Sequence, residues 1–276
     1  MVYPWSRRLK CSVCAPGSSK YCAIHSGGIS TIGGGHNPGG FSTHVPVPDC
    51  KFLVKVPENI PMDIACMLPC SGLTTYSAVQ KTQSHVETAL KRFGVARLLI
   101  IGAGGLGLWA IQNARILYKE KNVKIVVADV NQGAIDIALK AGADEGVFWD
   151  PKDDSATLAA KTTHDGKDKI DAVMDLVGKG STASTGLACL HRMGALIVVG
   201  MAGGELKMPL LQLIMNGFVC QGIVTGTLGD LRAFVDQVSQ HKMNYPSLEY
   251  YALENVNDVI ERLKTGKVKG RAILKF

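Results

Sequence analysis

Residues 95–130, VARLLIIGAGGLGLWAIQNARILYKEKNVKIVVADV, decide the fold. A β-branched and leucine-rich run, Val95 to Ile101, meets Gly102, Gly104 and Gly107. A helical pattern follows, and a second apolar run ends on Asp129. That order is the one a dinucleotide site requires. Gly102 allows the tight turn out of the strand, Gly104 leaves room for a pyrophosphate to touch backbone, and Gly107 lets the helix press onto the sheet. Gly105 and Leu106 lie in the same turn, where the helix offers unpaired N–H groups and its positive dipole end to an anion. Asp129 stands about 20 residues past the last glycine, where a carboxylate can accept both hydroxyls of an adenosine ribose. Its charge repels a 2′-phosphate, and no Arg follows in Val130, Asn131, Gln132 and Gly133, so NAD is expected rather than NADP. Glycine triplets also arise in ordinary turns of a chain with 31 glycines. The strand before, the helix after and the acid ending the next strand decide for a nucleotide site.

Outward from this stretch, strand and helix patterns alternate. Ala134–Ala141, Ser155–Lys161 and Thr182–His191 read as helices; Gly146–Trp149, Ile170–Val177, Ala195–Gly200 and Val219–Thr225 read as strands. Short continuous apolar runs between helices predict a parallel sheet covered on both faces, an α/β doubly wound fold. Ligands in such sheets lie at the carboxyl ends of the strands, so Val177, Gly178, Val199, Gly200 and Thr225 are placed to line the crevice. Upstream, Pro61–Gln80 has helical spacing interrupted by Pro69, and Cys70 lies at the interruption. Gly39–Pro48 and Lys51–Val56 read as strands, the first limited to an edge by its prolines. Downstream, Asn255–Lys264 reads as an amphipathic helix stopped by Gly266, and Arg271–Phe276 as a terminal strand. Residues 1–50 are loop-like, with Cys11, Cys14 and Cys22 as thiolates that could grip a structural Zn²⁺ and His25 as a substitute ligand.

Composition sets the class. At 276 residues and 46% hydrophobic content the chain can bury cores in two domains. The net charge of +7 is spread over scattered lysines without an aromatic platform or recognition motif, so a nucleic-acid partner is not expected. No run reaches bilayer-spanning length and MVYPWSRRLK lacks the apolar core of a signal peptide, so no membrane partner is expected. Eight cysteines are too sparse for a disulfide scaffold; reduced thiols and a cytoplasmic location follow.

Several motifs, taken in chain order, carry a resemblance: YPW before a cysteine cluster, GGFSTHVPVP, LPCSGLTTYSAV, GAGGLG with Asp129, DLVG, IVVGMAGGELKMP, GTLGDLRAF and LKTGKVKGRAILKF. Together they are similar to the zinc-dependent branch of the medium-chain alcohol dehydrogenase family. The resemblance implies a Rossmann domain at 72–226, and an incomplete GroES-like, β-rich catalytic domain from residues 1–71 and 227–276. It implies Cys70 as a ligand of the catalytic zinc, Thr74 on the nicotinamide side, Arg271 on the pyrophosphate, and Cys11, Cys14 and Cys22 as structural-zinc ligands. It also departs from the family. Arg8 stands where the first structural cysteine belongs, and the chain begins just ahead of the cysteine lobe. The catalytic Cys and His ligands, the Gly-His-Glu segment and the proton-relay hydroxyl have no counterparts, and neither His36 nor His44 replaces them.

The expectation is therefore an NAD-dependent oxidoreductase passing hydride between a small-molecule alcohol, or its carbonyl, and NAD. It would be an incomplete form in which NAD binding survives better than catalysis, with a homodimer or homotetramer as the assembly. The rivals are a non-catalytic NAD-binding, dimerising module and a zinc-free enone or quinone reductase of the same superfamily, against which Cys70 argues. A short-chain dehydrogenase is set aside, because no Tyr-x-x-x-Lys pair occurs.

Overall fold

The computed structural model describes residues 1–5, 32, 39–268 and 270–275. In chain order its elements begin with a 3₁₀ turn Cys50–Phe52, α1 (Met62–Ala65), a π-helical turn Leu68–Gly72 and α2 (Leu73–Phe93). Then come β1 (Ala96–Ile101), α3 (Gly105–Leu117), β2 (Val123–Asp129), α4 (Gln132–Lys140), β3 (Glu145–Phe148) and α5 (Ser155–Thr162). They continue as β4 (Ile170–Asp175), α6 (Gly180–Cys189), β5 (Leu190–Val198), α7 (Leu210–Asn216) and β6 (Val219–Gly222). The chain closes with α8 (Leu228–Gln240), β7 (Leu248–Ala252), α9 (Val256–Lys264) and β8 (Arg271–Lys275). Two compact units result: Thr74–Val224, and Met1–Leu73 with Thr225–Phe276.

The unit Thr74–Val224 holds a six-stranded sheet in the order β3-β2-β1-β4-β5-β6, every neighbouring pair parallel. Alternate residues of each strand enter opposite cores. Leu98, Ile100, Ile125, Val127 and Met174 pack with Val79 and Val86 of α2 and Ile111 of α3. Leu99, Ile101, Val126 and Val173 pack on the other face with Leu158 of α5 and Leu187 of α6. Burial on both faces is why these strands read as unbroken apolar runs rather than as alternation. Each fully buried aliphatic side chain contributes roughly 1.5–3 kcal/mol.

Where sequence and structure part, local chemistry explains the difference. Gly39–Pro48 forms no strand and Lys51–Val56 is replaced by the 3₁₀ turn, with Leu53 making only an isolated bridge to Val2. Pro46 and Pro48 have no N–H for a ladder, while the Asp49 carboxylate accepts the Lys51 N–H at 2.9 Å and holds a turn. The helix broken at Pro69 passes through the π turn, closed by Gly72 N–H on the Met67 carbonyl at 3.3 Å, and then runs on to Phe93 rather than stopping at Gln80. The fifth strand starts at Leu190, five residues before the expected Ala195. Its pairing with β4 shifts register between Ile170 and Ala172, and Met193 adopts φ +68. That bulge in HRMG hides the strand from periodicity.

In the other unit, β7 and β8 pair in parallel from Leu248↔Arg271 to Ala252↔Lys275. Helix α8 starts on a reciprocal cap: Thr227 Oγ1 accepts the Asp230 N–H at 3.0 Å, and Asp230 accepts the Thr227 N–H at 2.7 Å. Its Phe234 is fully buried against Gly72, where a Cβ would stand 2.3 Å from the ring. The Tyr3 hydroxyl, also buried, donates to the Gly226 carbonyl at 2.9 Å.

Candidate functional site

The turn after β1 is built by steric necessity. Gly102 has φ +99, a left-handed conformation that only glycine adopts without strain. Its N–H continues the ladder to the Ala128 carbonyl at 2.8 Å. Gly107 sits on that turn so closely that a Cβ would lie 2.3 Å from the Gly102 carbonyl oxygen. Gly104, the N-cap of α3, has no side-chain cap, and nothing lies within 4 Å of where its Cβ would be. The first-turn N–H groups of α3, from Gly105 onward, thus face an open cradle that a methyl would fill. A pyrophosphate fits such a cradle through backbone N–H donors and the helix dipole.

Asp129 ties the end of β2 to this turn. Its Oδ2 accepts the Ala103 N–H at 2.6 Å and its Oδ1 the Asn131 N–H at 2.9 Å. The carboxylate is half-buried and lines a cleft of about 440 Å³ at the carboxyl ends of the strands, together with Gly102, Val130, Trp149, Val177 and Lys179. Val130, Val177, Trp149 and Leu158 supply apolar lining, a setting for a flat heterocycle beside a carboxylate for its sugar.

The residue that shapes the far wall is Asp175, fully buried at the end of β4. Its Oδ1 accepts the N–H groups of Val177 at 3.0 Å and Gly178 at 2.9 Å, and its Oδ2 the Thr182 hydroxyl at 2.8 Å. Sequence reasoning singled out DLVG as a motif but gave Asp175 no role; an acid ending a buried apolar run was the available signal. Gly178 and Gly200 then meet backbone to backbone, since a Cβ on Gly178 would lie 1.9 Å from the Gly200 oxygen. Lys179, Thr182 and Asp150, all lining the cleft, carried no sequence signal because loop registry alone brings them there.

The remaining expected residues are distributed as follows. Val199 is buried in the core on the α2–α3 face of the sheet. Thr74 is buried at the start of α2. Thr225, with φ +44, accepts the Trp5 indole N–H on Oγ1 at 2.6 Å. Arg271 opens β8, where its N–H bonds the Ser247 carbonyl at 2.8 Å and its Nε is buried without a hydrogen-bond partner among the described residues. Cys70 lies exposed on the π turn. Among the described residues no three His, Cys, Asp or Glu side chains gather where a metal ion could be held, so those residues do not fit a zinc centre. Arg8, Cys11, Cys14, Cys22, His25 and His36 lie outside the described residues.

Comparison with known proteins places this geometry. The family described as zinc-binding dehydrogenase matches residues 105–240. The NAD-dependent alcohol dehydrogenase of Sulfolobus acidocaldarius is 30% identical over 278 residues, covering 100% of this chain and 74% of that protein. An alcohol dehydrogenase of Geobacillus stearothermophilus is 29% identical, covering 99% of this chain and 74% of its own length. Among solved structures, the alcohol dehydrogenase of Aeropyrum pernix superposes with a TM-score of 0.79 at 27% identity, over 99% of this chain and 74% of the other. Acetophenone reductase from Geotrichum candidum, solved in complex with NAD, shares the fold with a TM-score of 0.79 at 24% identity, over 100% of this chain and 72% of that one. The chain belongs to the zinc-dependent medium-chain alcohol dehydrogenase family of oxidoreductases.

Proposed function

We propose that this chain is an NAD-dependent oxidoreductase acting on an alcohol or its carbonyl, with Thr74–Val224 as its nucleotide-binding domain. The observation that carries the reading is the bare Gly104 cradle on the turn that the cleft-lining Asp129 carboxylate holds through the Ala103 N–H. When bound, the dinucleotide supplies the hydride acceptor or donor at its nicotinamide. The protein's own part is to orient it. Gly104, Gly105 and Leu106 present backbone to the pyrophosphate, Asp129 accepts from the ribose, and Val130 with Val177 holds the adenine by apolar contact. Thr74, Val199, Thr225 and Arg271 are assigned to the nicotinamide and phosphate side by family resemblance. No zinc-dependent step is assigned to the described residues, because Cys70 stands there without companion ligands.

That same observation favours a second reading, an NAD-binding module without turnover. Its assembly would run through β6, whose four residues are all exposed at the sheet edge, and α7, whose Leu210, Leu211, Ile214 and Met215 are about 70% exposed. Pairing with a second copy would cover both and give the homodimer. The five described cysteines are free thiols, which suits the cytoplasm, and no helix of the described residues is long and apolar enough to cross a membrane.

The test uses the chain as it stands: NADH titration by fluorescence, metal content, and NAD⁺ reduction with primary and secondary alcohols. NADH binding with turnover supports the oxidoreductase. Binding without turnover supports the module, and failure to bind NADH removes the nucleotide assignment.

A further inference from the structure

The cleft is charged unevenly. Asp129, Asp150 and Asp153 line it against one cation among the described residues, Lys179. Asp153 is offset by Lys161, whose Nζ lies 2.5 Å from its Oδ2. Asp150 is different. Its Oδ1 accepts the Lys152 backbone N–H at 3.0 Å, and among the described residues no basic side chain pairs with it.

Its position follows from the sheet. Asp129 pairs in register with Phe148, and the Trp149 N–H bonds the Asp129 carbonyl at 2.9 Å. Asp150 therefore leaves β3 one residue past that bond, on the side of β2 away from the glycine turn. The turn side of the Asp129 carboxylate is already engaged, through Oδ2 and the Ala103 N–H. A group carried on the 2′-oxygen of an adenosine whose ribose bonds Asp129 enters a cleft that a second carboxylate, Asp150, also lines.

We propose that Asp150 is a specificity-determining residue that, beside Asp129, excludes the 2′-phosphorylated dinucleotide. The inference rests on the nucleotide reading of the cleft. It deepens that reading in one respect: Asp129 is not the sole discriminator, so its replacement leaves a preference for NADH standing. A neutral ribose hydroxyl is indifferent to Asp150, whereas a phosphate carrying close to two negative charges is not.

The experiment titrates NADH and NADPH, by ligand fluorescence, into the full chain and into Asp129→Asn, Asp150→Asn and the double variant, at low and high ionic strength. Asparagine at 150 keeps an oxygen for the Lys152 N–H, so the loop retains its bond. Asp150→Asn is expected to tighten NADPH by about threefold to tenfold at low ionic strength, with the gain shrinking in salt. NADH affinity should stay within about twofold, since its 2′-oxygen carries a neutral hydroxyl. The double variant should bring the two dissociation constants closest together. An unchanged NADPH constant in Asp150→Asn, or equal shifts for both nucleotides, overturns the proposal while leaving the nucleotide site intact. Absence of NADH binding to the unaltered chain overturns the nucleotide reading, and the role of Asp150 with it.

Discussion

Two glycines three residues apart make opposite demands on the protein, and replacing each by alanine separates structure from ligand. At Gly107 the new methyl would stand 2.3 Å from the Gly102 carbonyl oxygen, a backbone atom, so α3 must retreat by about 1 Å to reach ordinary contact. Overpacking of that kind costs about 1–3 kcal/mol, and the gain of alanine over glycine in a helix returns about 1 kcal/mol. At Gly104 the methyl meets nothing within 4 Å and the backbone, φ −72 and ψ −155, is open to any residue. Only the small N-cap preference for glycine is lost, a few tenths of a kcal/mol. The methyl does, however, occupy the space through which a pyrophosphate reaches the first-turn N–H groups. Denaturant unfolding should therefore show Gly107→Ala destabilised by up to about 2 kcal/mol, more than Gly104→Ala, which should stay within about 0.5 kcal/mol of the parent. NADH titration should show both weakened, Gly104→Ala by at least about tenfold, the equivalent of one lost phosphate contact. Parent-like NADH binding by Gly104→Ala would refute the cradle, and equal destabilisation by both substitutions would refute the packing argument.

Other outcomes follow from single contacts. Asp129→Asn keeps one side-chain oxygen for Ala103 or Asn131 but not both as charged bonds, and should cost NADH about tenfold in affinity and stability about 1 kcal/mol, read by titration and unfolding. Burial raises the Tyr118 hydroxyl from 10.0 to about 12, against a bond to Thr82 at 2.8 Å. Because the folded value is raised, the stabilisation is whole below pH 10 and is lost as pH climbs toward 12. The drop over that window is about 2 kcal/mol, and unfolding of Tyr118→Phe should lack it. Cys189 is fully buried and its thiol is pushed up to about 12, so a thiol reagent should label the exposed cysteines in the native protein and reach Cys189 only on unfolding. Ile214→Lys on α7 should leave stability within about 0.5 kcal/mol, its side chain being 72% exposed, yet shift a β6-edge dimer toward monomer by light scattering.

Much of the candidate nucleotide site is legible in the sequence alone. Gly102, Gly107 and Asp129 announce themselves because a turn of φ +99, a helix in contact with a carbonyl and a carboxylate at a strand end each tolerate few residue types. The buried strands were legible for the same reason, since only apolar residues survive between two packed layers. Asp150 and Lys179 were not, because a charged residue in a loop is allowed almost anywhere, and its meaning depends on which loop lies opposite. Asp175 was half-legible: its burial could be suspected, but not the three bonds that organise the turn to Gly178. The 39–56 segment misled because alternation was visible while proline-imposed loss of donors and the Asp49 turn outweighed it.

By itself, then, the sequence determined the doubly wound sheet, the glycine turn and the acid that ends β2, because these rest on local sterics and on burial, which leave marks on neighbouring residues. The tertiary structure alone decided which loops share the cleft, that Val177 faces it while Val199 enters the core, and that Cys70 is exposed without companion ligands among the described residues. Those outcomes depend on contacts between residues far apart in the chain, fixed by strand order and register, and no local pattern records them.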